Sequence, residues 1–303
     1  MKRIMLLLLI AVSAASAQLK VTAIEKLALP SDQEWSSPVF APDGKTVYFT
    51  NASYDGIWKY TRANNSVTTL TLDPQSGLGF TVSQDGSQIA YRRTTYNEQT
   101  HERLQDAVVM NLATLSTRVL ASGSDVSIPA FASSGIMYSV KGAQQSVKLA
   151  KTTAAAGAEI LGIENTKIAV MKNGAKVLLD PSGSGSYIWP ALSHDGQKIA
   201  AYDLQHGTFI CDLEGNVLAR LGRRDAAVWT RDGNWLVYMN DRDDGRKMLG
   251  SEICAVSADG TQTLQLTATS GVMEMNPSCS PVENKIVCSG DGALYVISYE
   301  EAK

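Results

Sequence analysis

One short hairpin pattern recurs along this chain, and it constrains the fold more than any other feature. Two apolar segments flank a turn that contains Asp-Gly, as in WTRDGNWLVY, which begins at Trp229. Glycine adopts the positive φ angle that such a turn requires, and aspartate supports the turn through its side chain. Each copy therefore predicts a β-hairpin.

Six copies of this hairpin can be aligned in phase. They begin at Phe40, Val82, Phe131, Leu192, Trp229 and Cys279. A second strand, turn and strand follow the hairpin in five copies, so each unit holds four short strands; residues 228–267 contain one complete unit. Because proline lacks an N–H group, Pro38, Pro129, Pro190 and Pro277 just before four of the copies predict the start of a strand.

The two ends of the chain complement each other. The sixth unit lacks its fourth strand, whereas residues 20–30 (KVTAIEKLALP) are typical of a fourth strand with no hairpin before it. We therefore expect residues 20–29 to pair with residues 294–298 and to close the sheets into a ring. This predicts an all-β, six-bladed β-propeller of four-stranded antiparallel blades, with seven blades as the alternative count. A β-sandwich is less favoured, since it does not explain six in-phase hairpins.

The hairpins also resemble a known family. The hairpins contain Ser or Ala, then any residue, then Asp and Gly, and an apolar strand follows. This pattern is similar to the PD40 (WD40-like) repeats of TolB-like propellers, and the similarity extends over essentially all of residues 18–303. The copies at Phe40, Val82 and Leu192 carry the pattern, and the copy at Trp229 carries it with Thr230 in the first place. The copies at Phe131 and Cys279 depart from it, which leaves the blade boundaries in residues 127–180 open. Such propellers serve as protein-binding scaffolds, sensor modules or non-catalytic domains of peptidases, so the resemblance implies the fold more than an activity.

The first 17 residues have the build of a cleavable signal peptide. Lys2 and Arg3 precede the apolar run MLLLLIAV, and small residues end at Ala17. The apolar run is too short to span a bilayer as a helix, and no later segment is long enough. We therefore expect a single propeller domain over residues 18–303, exported to the periplasm or secreted, with no transmembrane segment.

The charge balance argues against a nucleic-acid partner. The net charge is −3, and without Lys2 and Arg3 it becomes −5, because 25 basic residues then face 30 acidic ones. No cluster of basic residues compensates for this excess of acids. Duplex nucleic acids bind proteins chiefly through Lys and Arg, so this class of partner is not expected.

The four cysteines give two different expectations. Cys211 and Cys254 hold equivalent places in successive units, where apolar side chains belong, and we expect both to be buried free thiols. Cys279 and Cys288 lie on the two strands of one hairpin, and we expect their side chains on the same face of the sheet. They are near enough for a disulfide, so both the free and the bonded state stay open.

Three long insertions separate the second and third strands of their units, at residues 92–106, 141–165 and 240–251. In a propeller this connection and the crossover between blades open on the same face, whereas the Asp-Gly turns open on the opposite face. Long connections on a rigid scaffold often carry function. We therefore expect the binding surface on this face and at the mouth of the central channel.

Aromatic and charged side chains provide the candidate ligand-binding residues. They are Trp35, His101, Tyr187, Trp189, Asp243, Asp244 and Arg246. The aromatic residues just ahead of inner strands are suited to anchor a partner, with packing between blades as the alternative. The acidic group of residues 241–244 lacks the ligand spacing of a helix-loop-helix calcium site, and a solvated loop is the alternative. No metal site and no cofactor are predicted.

No catalytic constellation is visible in the sequence. His101, His194 and His206 include residues assigned to different faces, and no nucleophile elbow opens a helix. The sequence therefore predicts a monomeric, non-enzymatic propeller that binds a protein or peptide of the cell envelope. The alternative is an exported enzyme that acts on a carbohydrate or lactone at the channel mouth, with a metal held by Asp243 or Asp244 and His101. A small-ligand sensor or a structural module is a third possibility.

Overall fold

The structure is a computed structural model that describes residues 18–132, 135–148 and 157–302. The signal peptide predicted for residues 1–17 lies outside the described residues. Within the described ranges the chain forms 26 β-strands and one short 3₁₀ helix, η1 (Ser76–Leu78). In those same ranges, no helix is both long enough and apolar enough to cross a membrane.

The strands form seven antiparallel sheets, which we number as blades in chain order. Blade 1 contains β2 (Trp35–Phe40), β3 (Thr46–Asn51), β4 (Ile57–Thr61) and β5 (Ser66–Thr71). Blade 2 contains β6 (Phe80–Val82), β7 (Gln88–Asn97), β8 (Glu102–Asn111) and β9 (Thr117–Gly123). Blade 3 contains β10 (Ala130–Ala132), β11 (Gly135–Val140) and β12 (Ala143–Val147).

The remaining four blades follow in the same way. Blade 4 contains β13 (Glu159–Glu164), β14 (Lys167–Lys172) and β15 (Ala175–Leu179). Blade 5 contains β16 (Tyr187–Leu192), β17 (Lys198–Asp203), β18 (Gly207–Asp212) and β19 (Val217–Gly222). Blade 6 contains β20 (Asp225–Trp229), β21 (Trp235–Asp243), β22 (Met248–Ser257) and β23 (Thr263–Gln265). Blade 7 contains β24 (Glu274–Cys279), β25 (Lys285–Gly290), β26 (Ala293–Ala302) and β1 (Gln18–Lys26).

The strand that lies towards the centre of the ring is the first described strand in blades 1 to 6 and β24 in blade 7. These inner strands contact one another in the order β6, β10, β13, β16, β20, β24 and β2. The sheets are therefore arranged radially, so that each one can bury both faces against its neighbours. The expected all-β propeller is confirmed, and it has seven blades.

The ring closes through its two ends, as the sequence predicts. β1 pairs with β26 in antiparallel register, with Leu19 opposite Glu301 and Ile24 opposite Ile297. The N–H group of Leu27 then donates to the carbonyl of Leu294 at 2.8 Å. The first strand of the chain is thus the outer strand of the last blade.

The count of six blades was wrong, and the error lies in residues 127–180. Residues 141–165 do not form one inserted loop, because they supply β12 and β13. The turn between β13 and β14 is formed by Asn165 and Thr166, whose φ angles are 49° and 66°. Because this turn contains no Asp-Gly pair, the hairpin lacks the signal by which the other units were recognised.

Blades 3 and 4 each have three strands within the described residues. The N–H group of Tyr187 donates to the carbonyl of Thr166 at 3.0 Å, which places the β13–β14 turn beside the start of β16. β13 therefore ends where β16 begins, and the two inner strands run in opposite directions. Two successive three-stranded sheets restore the original strand direction, so that the ring continues regularly into blade 5. The connection from β12 to β13 includes residues 149–156, which lie outside the described residues.

Side chains from facing sheets fill the space between neighbouring blades. Between blades 7 and 1, the ring of Trp35 lies 5.1 Å from that of Phe49 and 5.0 Å from that of Trp58, edge to face in both cases. Val287 and Leu294 of blade 7 pack against this cluster. Burial of large aromatic side chains contributes strongly to stability, so this cluster reinforces the β1–β26 closure.

The Asp-Gly turns share one pattern of hydrogen bonds. In blade 5, Ser193 Oγ donates to Asp195 Oδ1 at 2.6 Å and accepts from Lys198 N at 2.9 Å, while Gln197 N donates to Asp195 Oδ1 at 3.0 Å. The hydroxyl-to-carboxylate bond recurs at Ser83 with Asp85, Thr230 with Asp232, and Ser257 with Asp259. These bonds lower the pKa of Asp85, Asp195 and Asp259.

Pro129 directly precedes β10, in agreement with the prediction. Pro38, Pro190 and Pro277 do not start strands, contrary to the prediction. Each is the fourth residue of its inner strand, at a shift in the pairing register. Each follows a residue with positive φ: Ser37 at 48°, Trp189 at 51° and Asn276 at 54°. An inner strand has one unpaired edge, and β-bulges on edge strands accommodate proline.

All four cysteines are free in the structure. Cys211 and Cys254 are buried, as expected, and burial raises the pKa of the Cys211 thiol to about 12. Cys279 lies opposite Ile286 in the β24–β25 hairpin, and Cys288 is two residues further along the same strand. Of the two states that the sequence left open for Cys279 and Cys288, the structure shows the free thiols.

Candidate functional site

The two ends of the blades form faces of different construction. In an antiparallel blade, the turn between the second and third strands lies at the same end as the crossover to the next blade. Two backbone hydrogen bonds join such elements: Thr94 N to Pro74 O at 3.0 Å and Trp35 N to Gly292 O at 2.9 Å. The expected sidedness of the ring is thus confirmed.

We call this end the long-hairpin face. It comprises the hairpin turns at residues 98–101 and 244–247 and the crossovers, such as residues 72–79 and 180–186. The opposite end is the short-turn face, with the Asp-Gly turns at residues 193–197 and 230–234 among its members.

Two of the three expected insertions extend strands instead of forming loops. β7 and β8 remain paired as far as Asn97 and Glu102, and β21 and β22 as far as Asp243 and Met248. Both hairpins therefore project at the long-hairpin face with continuous backbone pairing. The binding elements expected at residues 92–106 and 240–251 are ribbons, which hold their side chains more rigidly than loops.

Trp35 and Tyr187 belong to the core. Trp35 is 3% exposed, and its indole N–H donates to the carbonyl of Pro30 at 2.7 Å. Tyr187 is 1% exposed; its hydroxyl donates to Asp180 Oδ1 and accepts from Ser182 N, both at 2.7 Å. Neither side chain is available to a partner at the surface, and the packing interpretation holds for both.

Trp189 is placed differently from these two residues. It lies on the inner strand β16, is 45% exposed, and meets the ring of Tyr202 edge to face at 5.7 Å. Its φ angle of 51° is in the left-handed region, which is costly for a bulky side chain. A half-exposed tryptophan held in strained backbone is the most distinctive surface feature near the ring centre.

Asp243 and Arg223 connect the second long hairpin to the ring. Arg223 Nε lies 3.0 Å from Asp225 Oδ2, and Arg223 Nη2 lies 3.7 Å from Asp243 Oδ2. The hydrogen bond to Asp225 raises the pKa of Arg223. Asp243 Oδ1 also accepts from Gly245 N at 2.9 Å. Asp243 therefore has a structural part in holding the hairpin against the start of β20.

Asp244 and Arg246 form the exposed tip of the same hairpin. Asp244 Oδ1 accepts from Arg246 N and from Lys247 N, each at 2.9 Å. The bonds from Lys247 and Arg246 lower the pKa of Asp244. This geometry is that of a solvated turn stabilised by its own aspartate.

His101 occupies the tip of the β7–β8 hairpin, with φ 57° and its Nδ1 3.1 Å from the hydroxyl of Tyr96. It belongs to blade 2, whereas Asp243 and Asp244 belong to blade 6, which is not adjacent in the ring. The structure does not bring these three residues together. Nowhere in residues 18–132, 135–148 or 157–302 do three His, Cys, Asp or Glu side chains form a group that could hold a metal ion.

A groove beside the β7–β8 hairpin was not found by sequence reasoning. Its volume is about 660 Å³. It is lined by Thr95, Tyr96, Asn97, Glu102, Arg103, Leu104 and Ser124, and we call it the hairpin groove. The only signal in the sequence is that residues 92–106 lack the apolar alternation of the core strands, which is typical of a ribbon outside the packed sheet.

Exposed large apolar side chains are concentrated on one face. Among the described residues, eight lie on the long-hairpin face and two on the short-turn face. Those on the long-hairpin face are Leu72, Leu78, Tyr96, Leu104, Trp189, Leu204, Met248 and Leu249; those on the short-turn face are Leu115 and Val282. Of the remaining ones, Ile163 lies on the inner strand β13 and the others lie on outer strands. The long-hairpin face is thus the more apolar end of the ring.

These features define an all-β propeller with one regular face and one elaborated face, and solved structures share that fold. TolB from Acinetobacter baumannii is similar with a TM-score of 0.52 and 17% identity, over 82% of this chain and 58% of that chain. The tricorn protease is similar with a TM-score of 0.55 and 15% identity, over 89% of this chain and 26% of that chain. At these identities the likeness shows the fold alone.

An oligogalacturonate lyase in complex with manganese is also similar, at 11% identity over 87% of this chain and 76% of that chain. Its TM-score of 0.49 is too low to support an argument. No family model and no curated protein matches the chain. The resemblance to PD40 repeats therefore depends on the hairpin residues and on the shared propeller fold.

Proposed function

We propose that this chain is an exported propeller that binds a protein or peptide of the cell envelope through its long-hairpin face and catalyses no reaction. The concentration of exposed apolar side chains on that face carries the proposal. Soluble proteins rarely leave many large apolar side chains together on one surface unless that surface meets a partner. The short-turn face provides the internal comparison, since it belongs to the same ring and exposes few such residues.

Trp189 is the anchor residue in this proposal. Tryptophan contributes more to protein interfaces than most residues, because it buries a large rigid surface at low cost in conformational entropy. The positive φ of Trp189 recurs at the equivalent bulges of other inner strands, at Ser37 and Asn276, so it is a feature of the fold, and what sets Trp189 apart is its large exposed side chain. Tyr202 supports one edge of the indole ring and leaves almost half of its surface open.

The hypothesis of a carbohydrate or lactone enzyme remains an untested alternative. It rests on acids and a histidine that the structure places on different blades. No observation in the described part of the chain favours it over binding.

Site-specific photo-crosslinking in intact cells tests the proposed function. A photoreactive amino acid at Leu204 or Leu249 is expected to give a specific adduct with an envelope protein. The same amino acid at Leu115 or Val282, which are similarly exposed on the short-turn face, serves as the matched control and should give none. Trp189→Ala in the Leu204 derivative should reduce the adduct at least about tenfold, because an interface anchor contributes about 2 kcal/mol or more.

Equal crosslinking from the two faces would refute the assignment of the binding surface. An adduct that persists unchanged with Trp189→Ala would remove Trp189 as the anchor. Adducts from neither face, in cells where the protein is abundant and folded, would overturn the proposal as a whole.

A further inference from the structure

The hairpin groove lies where one strand of blade 2 ends early. β9 pairs with β8 only as far as Gly123 opposite Gln105. Residues 102–104 continue beyond this point and pair with β7, but no described strand covers their other edge. The chain leaves the sheet at Ser124, which lines the opposite side of the groove. An uncovered strand edge offers free N–H and C=O groups to an extended peptide.

Side chains from both faces of the projecting ribbon line this gap. Tyr96 lies opposite Arg103, and Thr94 lies opposite Gln105, so these four side chains share a face of the two-stranded ribbon. Gln105 Oε1 accepts from Val126 N at 3.0 Å. Gln105 therefore lies buried at the base of the ribbon, outside the groove lining, and Arg103 and Tyr96 lie further out along the ribbon, where both line the groove.

Two nitrogen donors at this place lack acceptors. Gln105 is 1% exposed, and its Nε2 is buried with no hydrogen-bond partner. Arg103 is exposed and, within the described part of the chain, forms no ion pair. A buried donor without an acceptor costs free energy, and a guanidinium group binds carboxylates with particularly favourable geometry. Arg103, which lines the groove, therefore has no anionic partner among the described residues, and a carboxylate of a ligand would supply one.

The local charges favour an anionic group. Arg92 Nη1 donates to the carbonyl of Val126 at 3.1 Å. Burial lowers the pKa of Arg92, the positive charge of Arg103 lowers it further, and Asp125 opposes this effect. The other nearby acid, Glu102, accepts from Thr100 Oγ1 at 3.2 Å at the hairpin tip. A carboxylate beside Arg103 would reduce the repulsion between the two guanidinium groups.

Apolar surface borders the same groove. Tyr96 is 60% exposed and Leu104 is 46% exposed, and both line it. The phenol of Tyr96 is held by His101 at 3.1 Å, so its ring is fixed in position. A side chain of a bound strand would pack against the ring of Tyr96.

We propose that the hairpin groove binds an extended peptide segment along the free edge of residues 102–104, and that Arg103 pairs with a carboxylate of that segment. The carboxylate comes from an acidic side chain or from a peptide C-terminus, which offer the same chemistry. This inference rests on the proposed function, because it identifies the chemical class of the partner bound by the long-hairpin face.

Fluorescence anisotropy with three labelled heptapeptides tests the inference. The probes are TVTETVT amide, TVTQTVT amide and TVTQTVT with a free C-terminal carboxylate. One charge-assisted pair corresponds to about a tenfold difference in affinity, so we expect one or both acidic probes to bind about tenfold more tightly than the neutral amide. The acidic probe that binds identifies the source of the carboxylate.

Variants then assign the residues. Arg103→Gln should abolish the tenfold preference for the acidic probe, whereas Arg118→Gln on the exposed outer strand β9 should retain it. Tyr96→Ala should lower the affinity for all three peptides by a similar factor, because it removes the aromatic ring against which a bound strand packs. Slower amide hydrogen exchange at residues 102–104 with the acidic probe would place the peptide at the strand edge.

Equal affinity of acidic and neutral probes for the wild-type protein would overturn the inference. So would an acidic preference that survives Arg103→Gln, or no binding of any probe at about 5 mM, where even weak peptide complexes form. The outcome is separable from that of the photo-crosslinking. Adducts at Leu204 without peptide binding remove the groove and retain the face. Peptide binding without adducts at Leu204 or Leu249 retains the groove and removes blades 5 and 6 from the binding surface.

Discussion

The two faces of the ring are the two ends of the same blades, yet they differ in the hydrogen bonds of their turns and in their exposed side chains. The short-turn face repeats one hydrogen-bond arrangement, in which a hydroxyl such as that of Ser193 or Thr230 binds the aspartate two residues later. Turns on the long-hairpin face also use Asn97, Asp203 and Asp244 to accept from backbone N–H groups, but among the described residues none of these is joined to a hydroxyl two residues earlier. Its hairpins differ in length, and its crossovers carry exposed apolar side chains such as Leu72 and Leu78.

This difference indicates that residues of the short-turn face serve mainly folding, whereas residues of the long-hairpin face are available for recognition. Repeated turn chemistry fixes the strand register in blade after blade, so changes in it should act on stability. The irregular face contributes fewer of these bonds and exposes more apolar surface, so changes in it should act on binding. Four substitution experiments examine this division, in order of decreasing effect on stability.

The two tryptophans near the starts of inner strands should differ most. Trp35→Ala removes a buried side chain from the cluster between blades 7 and 1 and should cost about 3–5 kcal/mol. Trp189→Ala removes a half-exposed side chain and should change the free energy of unfolding by no more than about 1 kcal/mol. Denaturant unfolding measures both. A large loss of stability with Trp189→Ala would show that this residue belongs to the core and not to a binding surface.

The hydroxyl of Thr230 should have the next largest effect. It is fully buried, donates to Asp232 Oδ1 at 2.6 Å and accepts from Trp235 N at 3.2 Å. Thr230→Val keeps the shape but leaves Trp235 N without this partner, which should cost about 2 kcal/mol. Thr100→Val at the exposed tip of the long hairpin is the matched control and should stay within about 0.5 kcal/mol. Similar losses for both variants would contradict the division between the faces.

Acid should affect the two faces in opposite directions. Burial raises the pKa of Glu274, at the start of β24 on the long-hairpin side, and its Oε2 has no hydrogen-bond partner. The stabilisation from protonated Glu274 is present below the unfolded pKa of about 4.3 and is lost as the pH rises through the raised folded pKa. Glu274→Gln should therefore gain about 1 kcal/mol at pH 7, and the gain should vanish in acid.

The contribution of Asp195 to stability should depend on pH in the opposite direction. The hydrogen bonds from Ser193 and Gln197 lower its pKa, so its stabilisation is present above the unfolded value of about 3.9 and is lost as the pH falls through the folded value. Asp195→Asn should be less stable than the wild type at pH 7, and the difference should shrink in acid. Chemical unfolding between pH 3 and pH 7 measures both variants. The same pH trend for the two would contradict the assignment.

Exposed apolar residues should have the smallest effect on stability. Leu204→Glu and Val282→Glu alter similarly exposed side chains on opposite faces, and both should remain within about 0.5 kcal/mol of the wild type. Only Leu204→Glu should reduce partner capture, because it places a charge in the apolar surface. A loss of capture with Val282→Glu would move the binding surface to the short-turn face.

Much of the fold could be predicted from the sequence because its turns are local and chemically explicit. Asp with Gly marks a hairpin wherever it occurs, and the unpaired terminal segments predict the closure. The blade count failed at Asn165 and Thr166, which adopt positive φ without glycine. Asn165 tolerates a positive φ, but the β-branched Thr166 does not favour one, so the pair does not carry the Asp-Gly signal.

The candidate site was less predictable. The same pattern, an aromatic residue near the start of an inner strand, placed Trp35 and Tyr187 in the core but left Trp189 half-exposed. The difference comes from the position of each residue along its strand and from the bulge at Trp189, neither of which the pattern shows. Tyr96 and Arg103 were missed because their proximity depends on the pairing register of β7 and β8.

The pairing of β1 with β26 also determines the order of assembly. The first of these strands leaves the ribosome before any other described strand, yet its partner is synthesised only after all the others. Nearly the whole polypeptide must therefore be made before the circle is complete, and contacts between such distant segments form slowly. Until then β1 exposes an unsatisfied backbone edge, so the nascent chain is most vulnerable to association with other chains just before its last strand arrives.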